Sequence, residues 1–213
     1  MNRYEKLTSI FNNAIRHRFP YSEMAINKNG IYIMFENSEK HNEFDRVVRI
    51  GSHTGADRLF ERINEHYIGN DHRDSVFRKH LGRCFLTINK QEDYIKTWDL
   101  KIKKREDKLK HFDKIDWNIE QLIESKTTSY IKDNLSFTVI PNLIDEAKRL
   151  RLEAALIATF AQFDSKQVSE TWMGKFHPDI KIPKSGLWNI HHIKGNPLTE
   201  EDIDYIIGKI SRQ

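Results

Sequence analysis

The sequence has very little cysteine and no long apolar run. Cys84 is the only cysteine among the 213 residues, which excludes a disulfide framework and a cysteine-based zinc finger and is typical of a reducing compartment. No apolar stretch approaches the roughly 18 residues that a membrane-spanning helix requires. The first residues also lack the pattern of a secretory signal peptide. We therefore expect a cytoplasmic protein that does not enter a membrane.

A strong excess of charge of one sign is also missing. The chain has 35 basic and 31 acidic residues, and its formal net charge is +4 at pH 7. If nucleic acid is the partner, the basic surface must therefore be local. Twelve Phe and four Trp indicate a folded core. The length suits one domain with elaborations, or at most two small domains.

Two short apolar runs predict a β-hairpin. Residues 30–35 and 47–51 both alternate as strands do, and residues 36–43 between them are polar and rich in turn formers. The alternation places Tyr32 on one face of the first strand. In the second strand it places Val48 and Ile50 on one face and Arg49 on the other. If the strands pair, Tyr32 and Arg49 share a face of the sheet.

A helix is predicted directly after this hairpin. Thr54 is the expected N-cap, with Asp57 in the position of a capping-box acid. Residues spaced by four form its buried stripe, namely Leu59, Ile63 and Tyr67.

A second stripe on the same helix is basic. It consists of Arg58, Arg62 and His66, again spaced by four. Two cations and a histidine on one helix face suit a phosphate, although a solvated basic face has the same pattern.

These residues together resemble the GIY-YIG nuclease family. The resemblance is carried by Gly30-Ile31-Tyr32, by Arg49-Ile50-Gly51 and by Arg62 with His66 four residues later. The family has a tyrosine in each tripeptide, an arginine on the first helix, a glutamate on a later helix, and often an asparagine near the end of the domain. Here Arg49 replaces the second tyrosine, and the loop from Gly51 to Arg62 is longer than is usual in the family.

A later helix offers the glutamate. Its expected buried stripe is Leu143, Ala147, Leu150, Ala154, Ile157 and Ala161. Glu153 opens a nearly all-apolar stretch, where a carboxylate is costly unless it is paired or binds a metal. The resemblance implies a metal ligand, whereas the alternative is a salt bridge to Arg149, Arg151 or another cation. Glu146 is the second candidate for the family glutamate.

The resemblance also implies a role for Asn189. Residues 185–189 are similar to the end of the family domain, where an asparagine returns to the active site. A turn asparagine is the alternative interpretation.

The helix predicted from Asp74 onward is strongly basic. With the preceding helix it supplies the expected nucleic-acid contacts, which are Arg58, Arg73, Arg78, Lys79 and Arg83. In the family this region lies near the substrate, so contacts to the DNA backbone are expected. Solvated side chains are again the alternative.

Residues 93–134 are expected to form a helical insert. Trp98, Ile102, Leu109 and Phe112 predict one long amphipathic helix, with Lys103 and Lys104 on its basic side, and a second helix follows Asp116. The pair would be a DNA-binding accessory, an arm of a homodimer or plain scaffolding.

The expected fold is an α/β domain with a small three-stranded sheet, mixed or antiparallel, flanked by helices. Residues 1–28 would be an N-terminal helical extension, with a helix over about 3–18. Residues 29–190 would be the nuclease-like domain with its insert. Residues 191–213 would be a C-terminal helix packed on that domain.

The activity implied by the resemblance is metal-dependent hydrolysis of a DNA phosphodiester. Glu153 would hold one Mg²⁺ or Mn²⁺ ion, and Arg62 would pair with the scissile phosphate. Tyr32 would accept a proton from the attacking water or position it, and His66 would orient the phosphate or relay a proton. Arg49 stays charged at any ordinary pH, so it would bind phosphate or support Tyr32.

Two other functions remain open on the sequence. One is a nuclease-like protein that binds nucleic acid without cutting it, for which Arg49 is the main support. The other is a protein-interaction scaffold that uses the charged insert.

Overall fold

The computed structural model describes residues 2–69, 71–102, 105–163 and 168–212. The strands are β1 (His17–Arg18), β2 (Gly30–His41), β3 (Phe44–Gly51) and β4 (Leu135–Pro141). The helices are α1 (Arg3–Asn13), α2 (Leu59–Tyr67), α3 (Val76–Ile88), α4 (Ile95–Trp98), α5 (Arg105–Lys110), α6 (Trp117–Asn134), α7 (Glu146–Ala161), α8 (Lys181–Ser185) and α9 (Glu200–Ile210). Single 3₁₀ turns occupy Glu23–Ala25, Glu92–Tyr94, Phe112–Lys114 and Met173–Phe176.

The sheet is antiparallel throughout and has four strands in the order β1-β4-β2-β3. The expected α/β class is confirmed, but the expected count of three strands is wrong by one. The extra strand is β1, in which His17 pairs with Phe137. This segment was expected to continue the first helix, but α1 ends at Asn13. Two residues carry too little alternation to indicate a strand.

The hairpin is longer than expected and its turn is shorter. β2 runs to His41 and β3 begins at Phe44, so the residues expected to form a loop are mostly strand. Asn42 in the turn has a φ of 54°, a left-handed conformation that asparagine tolerates. Glu36 and Glu39 looked like loop residues but are 5% and 1% exposed. Buried partners hold both of them, and nothing in the local sequence shows those partners.

A β-bulge decides which way the β3 side chains point. Met34 pairs with Arg49, but the next residue of β2 pairs with Val47, so Val48 is an extra residue. Ile50 therefore packs with Val47 in one core, while Val48 packs in the other. The prediction that Val48 and Ile50 share a face is wrong, because it assumed uninterrupted alternation.

Helices cover both faces of the sheet. One core lies between the sheet and the helices α1, α7 and α9. The other lies between the sheet and the helices α2, α3 and α6, and it contains Tyr32. No described helix has the length and apolar character needed to cross a membrane.

The insert does not contain one long helix. The short helices α4 and α5 replace it, and Leu109 and Phe112 are 69% and 57% exposed. Lys103 and Lys104 lie outside the described residues. The helix expected after Asp116 is α6, whose first turn is capped by the Asp116 carboxylate.

The stripe expected on α7 is also partly wrong. Leu150 is 37% exposed, whereas Leu152 and Leu156 are fully buried. The helix is rotated because its deepest polar side chain, Arg149, points inward and is fully buried. The neighbouring Glu153 therefore lies at the border between core and solvent.

A buried ion pair closes the far end of the hairpin. Arg46 and Glu39 are each 1% exposed and lie 2.6 Å apart. The carboxylate also accepts the backbone N–H of Ser169, and Arg46 donates to the carbonyl of Gly186. The pair thus connects the hairpin to the last quarter of the chain.

We expect Arg46→Ala to destabilise the protein by about 3–5 kcal/mol, because it leaves the Glu39 carboxylate buried and unpaired. Urea denaturation at neutral pH measures the effect. The control is Lys6→Ala, which breaks the exposed pair with Asp204 and should cost less than about 1 kcal/mol. Equal losses in the two variants would contradict this assignment.

Candidate active site

Tyr32 begins a buried chain of three hydrogen-bonded side chains. Its hydroxyl lies 2.8 Å from Nε2 of His66, and Nδ1 of His66 lies 2.7 Å from Oγ of Ser75. Tyr32 comes from β2, His66 from the last turn of α2, and Ser75 is the N-cap of α3. All three are almost completely buried.

His66 is electrically neutral in this setting. Burial lowers its pKa well below the usual range, and the charges of Arg49, Arg62 and Arg78 act in the same direction. Its two ring nitrogens are both engaged and its side chain is 0% exposed. His66 thus supports Tyr32, and in this structure it does not reach a surface where a phosphate could bind.

Gly51 makes room for the Tyr32 ring. A Cβ atom at Gly51 would lie 2.1 Å from the Tyr32 hydroxyl oxygen and 2.3 Å from its Cζ. The two residues are paired across β2 and β3. Any side chain at position 51 would therefore force the tyrosine to move.

Arg49 lies on the Tyr32 side of the sheet, as the sequence predicts. Its guanidinium donates to the carbonyl of Trp188 at 3.1 Å and sits 4.8 Å from the centre of the Phe77 ring. The residue is 7% exposed. It is thus a buried, fixed positive charge beneath the site.

Arg62 lies in an open cleft of about 680 Å³. The cleft is lined by Ser52, His53, Thr54, Arg58, Arg62, Glu65, Asp74, Leu150 and Glu153. The Arg62 guanidinium donates to the Glu65 carboxylate and to the Asp74 carbonyl. Burial alone would lower the pKa of Arg62, but the proximity of Tyr32 and the bond to Glu65 raise it. The side chain is therefore a firmly charged, anchored cation on the cleft wall.

Glu153 lines the same cleft as Arg62. Burial raises its pKa from 4.5 to about 6, although the charges of Arg49, Arg62 and Arg149 oppose this shift. Within the described residues no cation comes within 4 Å of its carboxylate. The salt bridges considered from the sequence are not formed, because Arg151 pairs with Asp202 and Arg149 donates to backbone carbonyls. Glu153 thus remains available to a ligand.

Arg149 fastens the loop after β3 to α7. Its guanidinium donates to the carbonyls of His53 and Gly55 at 3.2 and 3.0 Å, and to two carbonyls just before α7. Glu146, the alternative candidate for the family glutamate, accepts the N–H of Gly55 at 2.9 Å. These bonds fix where the loop lies relative to Glu153.

The start of α2 differs from the prediction. Arg58, not Thr54, is the N-cap residue, and it makes no side-chain capping bond. Asp57 has a φ of 59° and its backbone N–H is bound by Asn29 at 2.9 Å. Thr54 instead lines the cleft. The extra loop length thus builds a wall of the site.

Asn189 lies beside β3 and not in the cleft. Its amide binds both the N–H and the carbonyl of Ile50, at 3.1 and 2.9 Å, and the N–H of Trp188 donates to Val48 at 2.7 Å. β3 is the last strand of the sheet, so this segment covers an otherwise open edge.

Most of the side chains expected to contact nucleic acid are already paired. Arg78 is fully buried against Glu124, Arg73 binds Glu120, and Arg83 binds Asp99. Burial lowers the pKa of Lys79. Of the five, only Arg58 lines the cleft; its side chain is 55% exposed and lies 3.6 Å from the Glu65 carboxylate. Arg78 in particular cannot reach DNA in this structure.

The cleft can accommodate a divalent cation beside Glu153. Mg²⁺ usually keeps several waters and takes only one or two protein carboxylates plus a substrate phosphate. A partly desolvated carboxylate without an ion pair, next to an anchored arginine, matches this demand. Glu65 and Asp74 are the other carboxylates that line the cleft.

A second group of potential metal ligands lies outside the cleft lining. Ligand atoms of Asp71, His72 and Glu124 lie within 4.8 Å of one another. His72 already binds Glu124 through Nδ1 at 2.9 Å and the Trp98 carbonyl through Nε2 at 2.8 Å. Glu124 also binds Arg78. These contacts connect α3 and α6.

Sequence reasoning missed Ser75, Arg149 and His53. Ser75 precedes α3 and its capping pattern could have been recognised, but its contact with His66 could not. His53 lines the cleft and is 3% exposed, and within the described residues neither of its ring nitrogens has a hydrogen-bond partner. Arg149 was considered only as a partner for Glu153.

Comparison with known proteins gives one family. A model of the GIY-YIG domain matches residues 3–211. The searches of curated proteins and of solved structures gave no match.

The raised pKa of Glu153 predicts a pH-dependent stability. Protonation of this carboxyl favours the folded state, so its contribution is present below about pH 4.5 and is lost as the pH rises through about 6. Glu153→Gln should avoid this loss, and at pH 8 without divalent metal it should be more stable than the parent by up to about 2 kcal/mol. Urea denaturation at pH 4.5 and pH 8 measures this. A less stable variant at pH 8 would indicate a structural ion pair.

A second prediction concerns the contact between Gly51 and Tyr32. Gly51→Ala should displace the tyrosine from His66 and cost about 1–3 kcal/mol of unfolding free energy. The matched control is Gly208→Ala in α9, where an added Cβ meets nothing within 4 Å. The control should be neutral or slightly stabilising. Urea denaturation compares the two, and a Gly51→Ala variant as stable as the parent would refute the contact.

Proposed function

The chain belongs to the GIY-YIG domain family, and we propose that it is a metal-dependent endonuclease that hydrolyses DNA phosphodiester bonds. The observation that supports this best is the cleft, which is lined by both Arg62 and Glu153, with Tyr32 near enough to act on the charge of Arg62. An anchored cation and an unpaired carboxylate are what a phosphodiester and a divalent ion require.

Arg62 binds the scissile phosphate in this proposal. Its bonds to Glu65 and to the Asp74 carbonyl hold the guanidinium in place, and within the described residues both use Nη1, which leaves the N–H groups of Nε and Nη2 for a ligand. A fixed cation offsets the negative charge that grows on the phosphate oxygens in the transition state. Arg58 contacts a neighbouring phosphate from the rim of the cleft.

Glu153 holds the cation, which is Mg²⁺ or Mn²⁺. Such an ion would supply Lewis-acid stabilisation of the phosphate oxygens. The carboxylate must be ionised to bind it, and the charges of Arg49, Arg62 and Arg149 favour that form against burial. Arg149 contributes further by keeping the loop that carries Ser52 beside Glu153.

Tyr32 orients the attacking water or accepts its proton. His66 holds the phenol oxygen by a hydrogen bond, and Arg49 is a fixed positive charge on the same face of the sheet. Arg49 thereby takes over part of what the second family tyrosine does, although it cannot itself be a base. Asn189 acts indirectly by holding β3, which carries Arg49 and Gly51.

The decisive experiment uses supercoiled plasmid with Mg²⁺. We expect nicking by the parent, and we expect Glu153→Gln to reduce the rate by about 100-fold or more while DNA binding persists, since only the charge that holds the cation is removed. Agarose electrophoresis over time measures both forms.

Glu146→Gln is the matched control, because it lies on the same helix and its amide oxygen still accepts the Gly55 N–H. Its effect should be much smaller. A DNA shift without nicking by the parent would favour the non-cleaving binder, for which Arg49 in place of tyrosine is the main support. Neither shift nor nicking would sink both proposals.

DNA binding should depend on salt through phosphate contacts. Each contact contributes about −0.9 to the slope of log affinity against log salt for duplex DNA. Arg58→Ala should reduce the slope by about one contact, whereas Arg58→Lys should retain it. Fluorescence anisotropy with a labelled duplex and Ca²⁺ gives the slopes. An unchanged slope in Arg58→Ala would remove Arg58 from the interface.

A further inference from the structure

The chain formed by Tyr32, His66 and Ser75 has a defined direction of hydrogen donation. Its two bonds are 2.8 and 2.7 Å long, and none of the three side chains is more than 1% exposed. A neutral imidazole has one N–H group and one acceptor nitrogen. The ring hydrogen of His66 therefore lies either on Nε2, which faces Tyr32, or on Nδ1, which faces Ser75.

The hydrogen bonds of Ser75 determine which of the two nitrogens carries the hydrogen. Its Oγ accepts the backbone N–H of Arg78 at 3.2 Å, as an N-cap does. The hydroxyl hydrogen then needs an acceptor, and within the described part of the chain the only one in reach is Nδ1 of His66. If Nδ1 carried the ring hydrogen, the hydroxyl hydrogen of the fully enclosed Ser75 would be buried without a partner, which is unfavourable. If Nε2 carries it, the hydrogen left over is that of Tyr32, whose hydroxyl lies near enough to the cleft residue Arg62 to act on its charge, and a water or ligand in the cleft can accept it.

The surroundings exclude the alternative of a doubly protonated ring. The Arg78 guanidinium donates to the backbone carbonyl of His66 at 2.9 Å. Arg49 and Arg62 add two further positive charges nearby, and no carboxylate binds either ring nitrogen within the described residues. An imidazolium would be surrounded by like charges.

We propose that Ser75 is a positioning residue that places the ring hydrogen of His66 on Nε2, so that Tyr32 accepts a hydrogen bond from a neutral histidine. The Tyr32 oxygen is then an acceptor towards His66, and its own hydrogen points elsewhere. When Tyr32 loses that hydrogen, the proton passes to a water or ligand in the cleft and not to His66, whose Nε2 already carries one. The Nε2–H group remains to stabilise the phenolate. The catalytic meaning of this arrangement rests on the proposed nuclease function, but the arrangement itself does not.

The first test is spectroscopic and needs no activity. A long-range ¹H–¹⁵N correlation spectrum of the protein with ¹⁵N-labelled histidine shows which nitrogen of each ring carries hydrogen, and His66→Gln identifies the His66 signals by their loss. At neutral pH we expect His66 in the Nε2–H form in the parent and in Ser75→Thr. In Ser75→Ala the Nδ1–H form should become populated. An Nδ1–H or doubly protonated His66 in the parent would overturn the proposal.

The second test separates positioning from mere stability. Ser75→Ala also removes a helix cap, so Thr199→Ala, which removes the N-cap of α9 far along the chain, is the matched control. In the plasmid assay we expect Ser75→Ala to lower kcat by roughly tenfold or more with little change in KM, since a wrong tautomer misplaces the hydrogen. Ser75→Thr should restore kcat, and Thr199→Ala should not lower it.

The outcomes distinguish the two proposals. A parent protein with Nε2–H at His66 but no nicking supports the positioning role and refutes the nuclease. Equal kcat for Ser75→Ala and Thr199→Ala, with His66 unchanged in both spectra, refutes the positioning role and leaves the nuclease intact.

Discussion

The buried guanidinium of Arg149 determines the geometry of the site. It is fully buried and donates to four backbone carbonyls, two in the loop after β3 and two just before α7. A charge inside a protein is tolerated only when such bonds satisfy it. Since the carbonyls belong to two separate segments, they cannot be satisfied unless the segments meet. The position of Glu153 relative to the loop and to Arg62 follows from that requirement.

The same site concentrates positive charge around few negative groups. Arg49, Arg62 and Arg149 all act on Glu153, and Arg49, Arg62 and Arg78 all act on His66. Burial and the surrounding arginines both keep His66 neutral. Burial also makes Glu153 hold its proton more tightly than in water, whereas the arginines favour its ionised form. The concentrated positive charge destabilises the protein when no ligand is bound, but it attracts a polyanion. The protein therefore holds these charges in place for a ligand that supplies the missing negative charge.

The sequence could predict the parts of the site that follow from local periodicity. Tyr32, Arg62 and Glu153 were placed on a strand and two helices by alternation and by four-residue spacing, and the structure brings the three elements together. The face of the sheet on which Val48 lies could not be predicted, because a β-bulge depends on how two strands pair. The burial of Arg78 could not be predicted either, because its partner Glu124 lies 46 residues later.

Long-range pairing explains the remaining differences. The burial of Glu36 and Glu39 depends on groups from the last third of the chain. These are the indoles of Trp172 and Trp188 for Glu36, and Ser169, which joins the ion pair with Arg46, for Glu39. A two-residue strand such as β1 is defined only by its neighbour. Polar residues therefore predict a loop incorrectly wherever the fold buries them against groups that are distant in the sequence.

The segment that covers β3 has a consequence for how the protein is made. Trp188 and Asn189 bind the open edge of this strand and hold Arg49 through the Trp188 carbonyl. While a ribosome is still synthesising the chain, the sheet and its first helices leave the exit tunnel long before this segment does. During that interval the edge of β3 is open to pairing with other chains, and Arg49 lacks its acceptor on Trp188. Protection from aggregation and completion of the site therefore arrive together, once this segment has emerged.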